Sequence, residues 1–133
     1  MNVIQLKTMI YTFLSGIATR VYDGQAPIDP TYPYVVYKLA SSYVDEDQRI
    51  ENFRLEIDIW DNKPLSATAI ETLTGSIDGD GAITSASGLH RKHYYVGGTL
   101  QADFYRDSRF DITDEDPKIK RRQLNYLVKS YLY

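Results

Sequence analysis

The chain has 133 residues, 43% of them hydrophobic and 25% charged, with a formal net charge of −3. Such a balance describes one soluble globular domain with room for its own core, and an acidic chain is a poor general binder of duplex nucleic acid. The absence of cysteine excludes a disulfide framework and thiolate metal sites, and it fits a reducing cytoplasm.

Met1 to Lys7 has neither a basic start nor an unbroken apolar run, so no signal peptide is expected. No stretch approaches the length of a membrane span. The 12 tyrosines, against 4 phenylalanines and 1 tryptophan, suit half-buried sheet faces and protein interfaces. Their rings are apolar and their hydroxyls want partners.

The spacing of Leu6, Met9, Ile10, Phe13, Leu14, Ile17 and Val21 predicts an amphipathic helix over Val3 to Val21. Asn2 is its candidate cap and Gly24 its left-handed stop. Pro27, Pro30 and Pro33 then make an extended, stiff connection. A first strand follows over Tyr34 to Tyr43, and Asp45-Glu46-Asp47 breaks its apolar content into a solvated hairpin tip.

The second strand, Ile50 to Trp60, alternates cleanly. Phe53, Leu55, Ile57 and Ile59 share one face; Arg54, Glu56 and Asp58 share the other. Trp60 falls on the polar face, as a cover for the sheet end or as an interface anchor. Asp61-Asn62-Lys63-Pro64 ends this strand, and a second helix begins near Pro64. Leu65, Ala69, Leu73 and Ile77 form its stripe, with Ile70 alongside.

Six of the 8 glycines lie from Gly75 to Gly98. The expectation there is a flexible Gly-rich loop at about 75–98, broken by a short strand near His93 to Val96. A further strand runs from Thr99 to about Phe110, and Asp111 to Pro117 is an acidic turn. Ile119 to Tyr133 fits either a helix or a strand by periodicity; its tyrosines favour a strand. The fold expected is α+β, a mostly antiparallel sheet of about four strands with two helices packed on one face. Residues 1–133 form a single domain.

The candidate chemical motifs weaken on inspection. His90 and His93 lack the converging partners that a metal site needs. Asp78-Gly79-Asp80-Gly81 resembles the start of a calcium loop, yet Ala82 and Leu89 stand where oxygen ligands belong. Gly79 and Gly81 lack the third glycine of a dinucleotide fingerprint, because Thr84 takes that place. Glu56 and Asp58 share an open sheet face and read as solvated carboxylates. No cofactor, metal or catalytic residue is therefore expected, and the chain does not read as an enzyme.

Lys118, Lys120, Arg121 and Arg122 follow Asp114-Glu115-Asp116 directly. Charge pairing within or between chains explains that run better than nucleic-acid binding.

The order of elements, with Tyr32-Pro33-Tyr34-Val35-Val36-Tyr37 and Glu56-Ile57-Asp58-Ile59-Trp60, resembles the tail-completion proteins of long-tailed bacteriophages, also called tail terminators. The resemblance implies a mixed α/β subunit that forms a homo-oligomeric, hexameric ring on the tail tube and joins it to the head-completion or connector protein. It implies residence at the head-tail junction of the virion, in the host cytoplasm before assembly, with DNA only passing through the lumen and no membrane partner.

A ring subunit needs loops and sheet edges that add to a neighbour. The candidate interface residues are accordingly Tyr43, Asp45, Glu46, Asp47, Arg49, Trp60, Arg91, Lys92, Tyr94 and Tyr95. A head-completion or other neck protein is the nearest alternative. A ligand- or peptide-binding module with Trp60, Tyr37 and Tyr105 in one pocket is an alternative of another class. A nucleic-acid binder using Arg91, Lys92 and Lys118 to Arg122 ranks with it.

Overall fold

The computed structural model describes residues 3–45, 49–62, 68–79, 88–96, 100–113, 115–116 and 118–131. Its elements are α1 (Val3–Ser15), β1 (Val21–Asp23), β2 (Tyr34–Val44), β3 (Ile50–Asp61), α2 (Thr68–Asp78), β4 (His93–Val96), β5 (Leu100–Thr113) and β6 (Lys120–Tyr131). The strands form one sheet in the order β1-β2-β3-β6-β5-β4. β1 pairs with β2 in parallel, and every other pair is antiparallel.

The sheet corrects the expected fold. It has six strands, it is mixed, and it curls into a half-barrel, so the helices sit within a curve and not on a flat, four-stranded layer. The contacts of α1 explain the curl. This helix touches both β1 and β5, which are separated by β2, β3 and β6. In a flat sheet those strands would lie about 19 Å apart, more than the roughly 10 Å width of a helix. Only a curled sheet brings both within reach.

The concave side is the core. Val35 and Tyr37 of β2, Leu55, Ile57 and Ile59 of β3, Leu124, Tyr126 and Val128 of β6, and Phe104 of β5 meet Leu6, Ile10 and Leu14 of α1 and Ile70 and Ile77 of α2. Strand register enforces this clustering, because Ile57 stands opposite both Tyr37 and Leu124, and Val128 opposite both Phe53 and Phe104. Each buried side chain of this size contributes about 1.5–3 kcal/mol of transfer free energy.

One helix boundary differs from expectation for a physical reason. The first helix ends at Ser15, six residues early, and Val21 leaves the helical stripe to enter β1. Ile17 and Ala18 instead close the last turn, with their amides donating to the Leu14 carbonyl. The second helix is described from Thr68, and the expected start near Pro64 lies outside the described residues.

Residues 80–87, 97 and 98 of the expected flexible loop also lie outside them. Its flanks are closed by backbone bonds: Leu89 N donates to Ile77 O at 2.7 Å and His90 N to Asp78 O at 3.3 Å. Gly88 permits that approach, since a Cβ there would lie 2.1 Å from the Gly79 nitrogen.

Candidate functional site

The convex side of the sheet carries the alternate residues of the same strands. The connection from Gly24 to Pro33 passes over its β1–β2 end and leaves a groove of about 470 Å³ lined by Tyr32, Tyr34, Lys38, Asp58, Trp60 and Arg121, among others. The strand register makes the groove floor. Tyr34 stands opposite Trp60, and Trp60 opposite Arg121. The Tyr34 and Trp60 rings stack at 5.9 Å with a 10° interplanar angle, and the Arg121 guanidinium lies 4.8 Å from the Trp60 ring centre. Tyr32 and Tyr22 flank Tyr34 at 5.2 and 6.0 Å.

Arg20 fixes the far end of the proline connection. Its guanidinium donates to the carbonyls of Thr31, Tyr32 and Pro33. At the near end, Gly24 N donates to Tyr37 O at 2.8 Å, with Gly24 at φ 79°. That left-handed conformation suits glycine.

A polar network continues from the groove across the convex face. Asp58 accepts from Arg121 Nε at 3.2 Å and from Gln123 Nε2 at 3.1 Å. Asn125 donates to Ser108 Oγ at 3.2 Å and receives Arg54 at 3.4 Å. Asp58, Gln123 and Asn125 are all buried, Asn125 to 1% exposure. The expectation of freely solvated carboxylates is therefore corrected at Asp58. Arg121 and the Gln123 amide, both on the neighbouring β6, cover it and satisfy one of its oxygens.

A second cluster lies on the concave side at the end of α2. Asp78 accepts from the Tyr126 hydroxyl at 2.8 Å and from Arg106 Nη1 at 2.5 Å. Burial, with the Asp78 carboxylate beside it, pushes the Tyr126 phenol far above its ordinary range. Nearby, Arg122 bonds Glu71 at 2.8 Å and Asp111 at 2.9 Å. The hydrogen bond from Arg122 holds the exposed Glu71 carboxyl below its usual range. Asp78 belongs to α2 and not to the flexible loop expected at about 75–98. The sequence signal for this is the helical stripe Ile70, Thr74, Ile77 and Asp78, which ends in a buried acid.

The basic run near Arg121 resolves by the same logic. Arg121 and Arg122 form ion pairs within the chain, with Asp58 for the first and Glu71 and Asp111 for the second. His90 and His93 do not converge: the His90 ring accepts from Arg106 N at 3.0 Å, and His93 contacts Asp103, which also receives the Tyr131 hydroxyl. Among the described residues no group of three His, Asp or Glu is placed to hold a metal ion.

The candidate interface residues scatter over three regions. Tyr43 is 61% exposed near the β2–β3 tip, where Asn52 Nδ2 bonds Asp45 at 2.8 Å and Arg49 is exposed. Glu46 and Asp47 lie outside the described residues. Trp60 is half-buried in the groove. Around β4, Arg91 and Tyr95 are exposed, Tyr94 packs on the core, and Lys92 Nζ lies 5.2 Å from the Phe13 ring centre. The alternative pocket of Trp60, Tyr37 and Tyr105 is not assembled. Tyr37 is a core residue of the concave side, whereas Trp60 is on the convex one and Tyr105 is exposed on β5.

No family model matches the chain, and no curated protein matches it in sequence. Its fold is similar to that of a chain from a solved structure described as the virion of a native gene transfer agent (GTA) particle. The TM-score is 0.54 and the identity 15%, over 90% of this chain and 84% of that one. At this identity the likeness is one of fold. No helix among the described residues is long and apolar enough to cross a membrane.

Proposed function

We propose that this chain is a structural, non-catalytic protein of a phage-like virion. It caps the tail tube and joins the tail to the head connector as a ring of identical copies, six on the family resemblance. The fold match carries the reading: nearly the whole chain follows the architecture of a chain from a gene transfer agent virion. The order of elements around Tyr32–Tyr37 and Glu56–Trp60 supports the finer tail-completion role.

Its partners on this reading are further copies of itself, the tail tube protein and a head-completion or connector protein. It sits at the head-tail junction and waits in the host cytoplasm before assembly. DNA crosses the lumen without being held, which suits a subunit of net charge −3. Deleting the gene and imaging the particles by electron microscopy tests the role. The expected result is separate filled heads and tails, with tails of irregular length; normal joined particles would reject it.

A further inference from the structure

The connection from β1 to β2 is pinned at both ends. Gly24 N donates to Tyr37 O, and the Arg20 guanidinium donates to the carbonyls of Thr31, Tyr32 and Pro33. Pro27 and Pro30 stiffen the backbone between them. Midway along this arch Ile28 is 96% exposed. Exposed Asp29 follows it and forms no ion pair among the described residues. A lone surface isoleucine is ordinary. One presented on a pinned arch gives up little freedom when a partner buries it, so nearly all of its apolar area contributes to binding.

The other side of the sheet carries a recess of matching chemistry. Between the end of α1 and the start of α2, Ile17, Ala18, Pro33, Ala69 and Leu73 line a cleft of about 340 Å³. Ile17, Pro33, Ala69 and Leu73 are only half-buried there. Arg20 lines the same cleft. Its printed bonds all go to neutral carbonyls, and its charge meets no carboxylate among the described residues. The cleft therefore presents apolar walls beside an uncompensated cation, and the arch presents an apolar side chain beside an uncompensated acid.

The helices occupy the concave side, whereas the arch crosses the convex one. Ile28, almost wholly in solvent, does not fill the cleft of its own chain. A projection on one side and a recess on the other are unlike surfaces, and their repetition head to tail is the contact that closes a ring.

We infer that Ile28 of one copy seats in the α1–α2 cleft of a second copy, with Asp29 meeting Arg20 there. This rests on the ring reading above and names the contact that builds it. A small apolar anchor in a pocket, oriented by one charge pair, fixes which surfaces meet without needing a broad apolar face.

The chain has no cysteine, so introduced thiols report only their own contacts. Two single variants, Ile28→Cys and Thr72→Cys, place one thiol on the arch and one at the cleft, where Thr72 is an exposed lining residue. Co-expressed in particles and treated with a short bis-maleimide, they are expected to give a covalent dimer that contains one of each. Either variant expressed alone should give none. Rings on the tail without the mixed dimer overturn this contact and leave the ring reading standing. Thr72→Cys joined to the tube or connector protein in place of a second copy does the same. A chain that enters no particle and forms no oligomer overturns both.

Ile28→Ala and Thr72→Trp, the second filling the cleft, both change exposed positions, and an unchanged thermal melt checks that the fold is kept. Ile28→Ala is expected to weaken ring association on the order of tenfold, and Thr72→Trp at least as much. Asp29→Asn should weaken it about twofold to threefold, with the effect fading in high salt. Association indifferent to Ile28→Ala and Thr72→Trp overturns the contact.

Discussion

The concave and convex sides of the sheet use alternate residues of the same strands, and they are held in different ways. Leu55, Ile57 and Ile59 of β3 face inward to the helices and are fully buried. Between them Glu56, Asp58 and Trp60 face outward, where Lys38, Arg54, Arg121 and Gln123 gather over them. The inner side draws its stability from apolar burial, which is non-directional. The outer side depends on directed bonds that contribute little each and fix geometry. A sheet built this way keeps its fold when the outer side is altered and loses it when the inner side is.

The sharpest test of that contrast is Phe104→Ala. Phe104 is fully buried on the concave side, so the change should cost about 3–5 kcal/mol in a denaturant titration. Asp78→Ala comes next. It leaves the Tyr126 hydroxyl and Arg106 without their acceptor and should cost about 2–3 kcal/mol.

The same site gives an alkaline limit. The folded state holds the Tyr126 phenol neutral, with its pKa raised above the unfolded value. Stability is therefore intact below about pH 10 and should fall by roughly 1.4 kcal/mol per pH unit above it, until the folded phenol also ionises. Tyr126→Phe should flatten that fall in urea titrations, leaving a smaller one from Tyr37, whose phenol burial also raises.

Trp60→Ala on the convex side should cost only about 1–2 kcal/mol, through loss of the Tyr34 stack and the Arg121 contact. A loss as large as that of Phe104→Ala would abolish the distinction between the two sides. The smallest change expected is for Glu71→Gln. The depressed carboxyl pKa of Glu71 favours the fold above the ordinary carboxylate range and loses that effect as pH falls through it. The exposed pair with Arg122 should thus show only in the acid limb of a thermal melt.

A strand is legible in the sequence where it shows one face to the core. β3 alternates over its length, and its inner and outer residues were assigned correctly from Phe53 to Trp60. The short β4 was also placed within its glycine-rich surroundings. β1 was missed because three residues are too few to show a period, and Ile17 and Val21 happen to continue the stripe of α1. β6 was ambiguous alone: it lies between β3 and β5, with Leu124, Tyr126 and Val128 inward and Gln123 and Asn125 buried outward. Burial on both sides blurs the alternation that marks a half-exposed strand. The number of strands and the curl depend on pairings between distant segments, which no local pattern carries. The Asp78, Arg106 and Tyr126 cluster was hidden for the same reason, since its members lie 28 and 48 positions apart.

The grip of α1 on β1 and β5 has a mechanical consequence. Flattening the sheet would pull one of those strands off the helix and expose Leu6, Ile10 and Leu14 to water, so the curvature behaves as a rigid dimension set by the helix's girth. A building block whose angular span is gauged internally is the same in every copy before any copies meet, which would let the proposed ring close without measuring its own circumference.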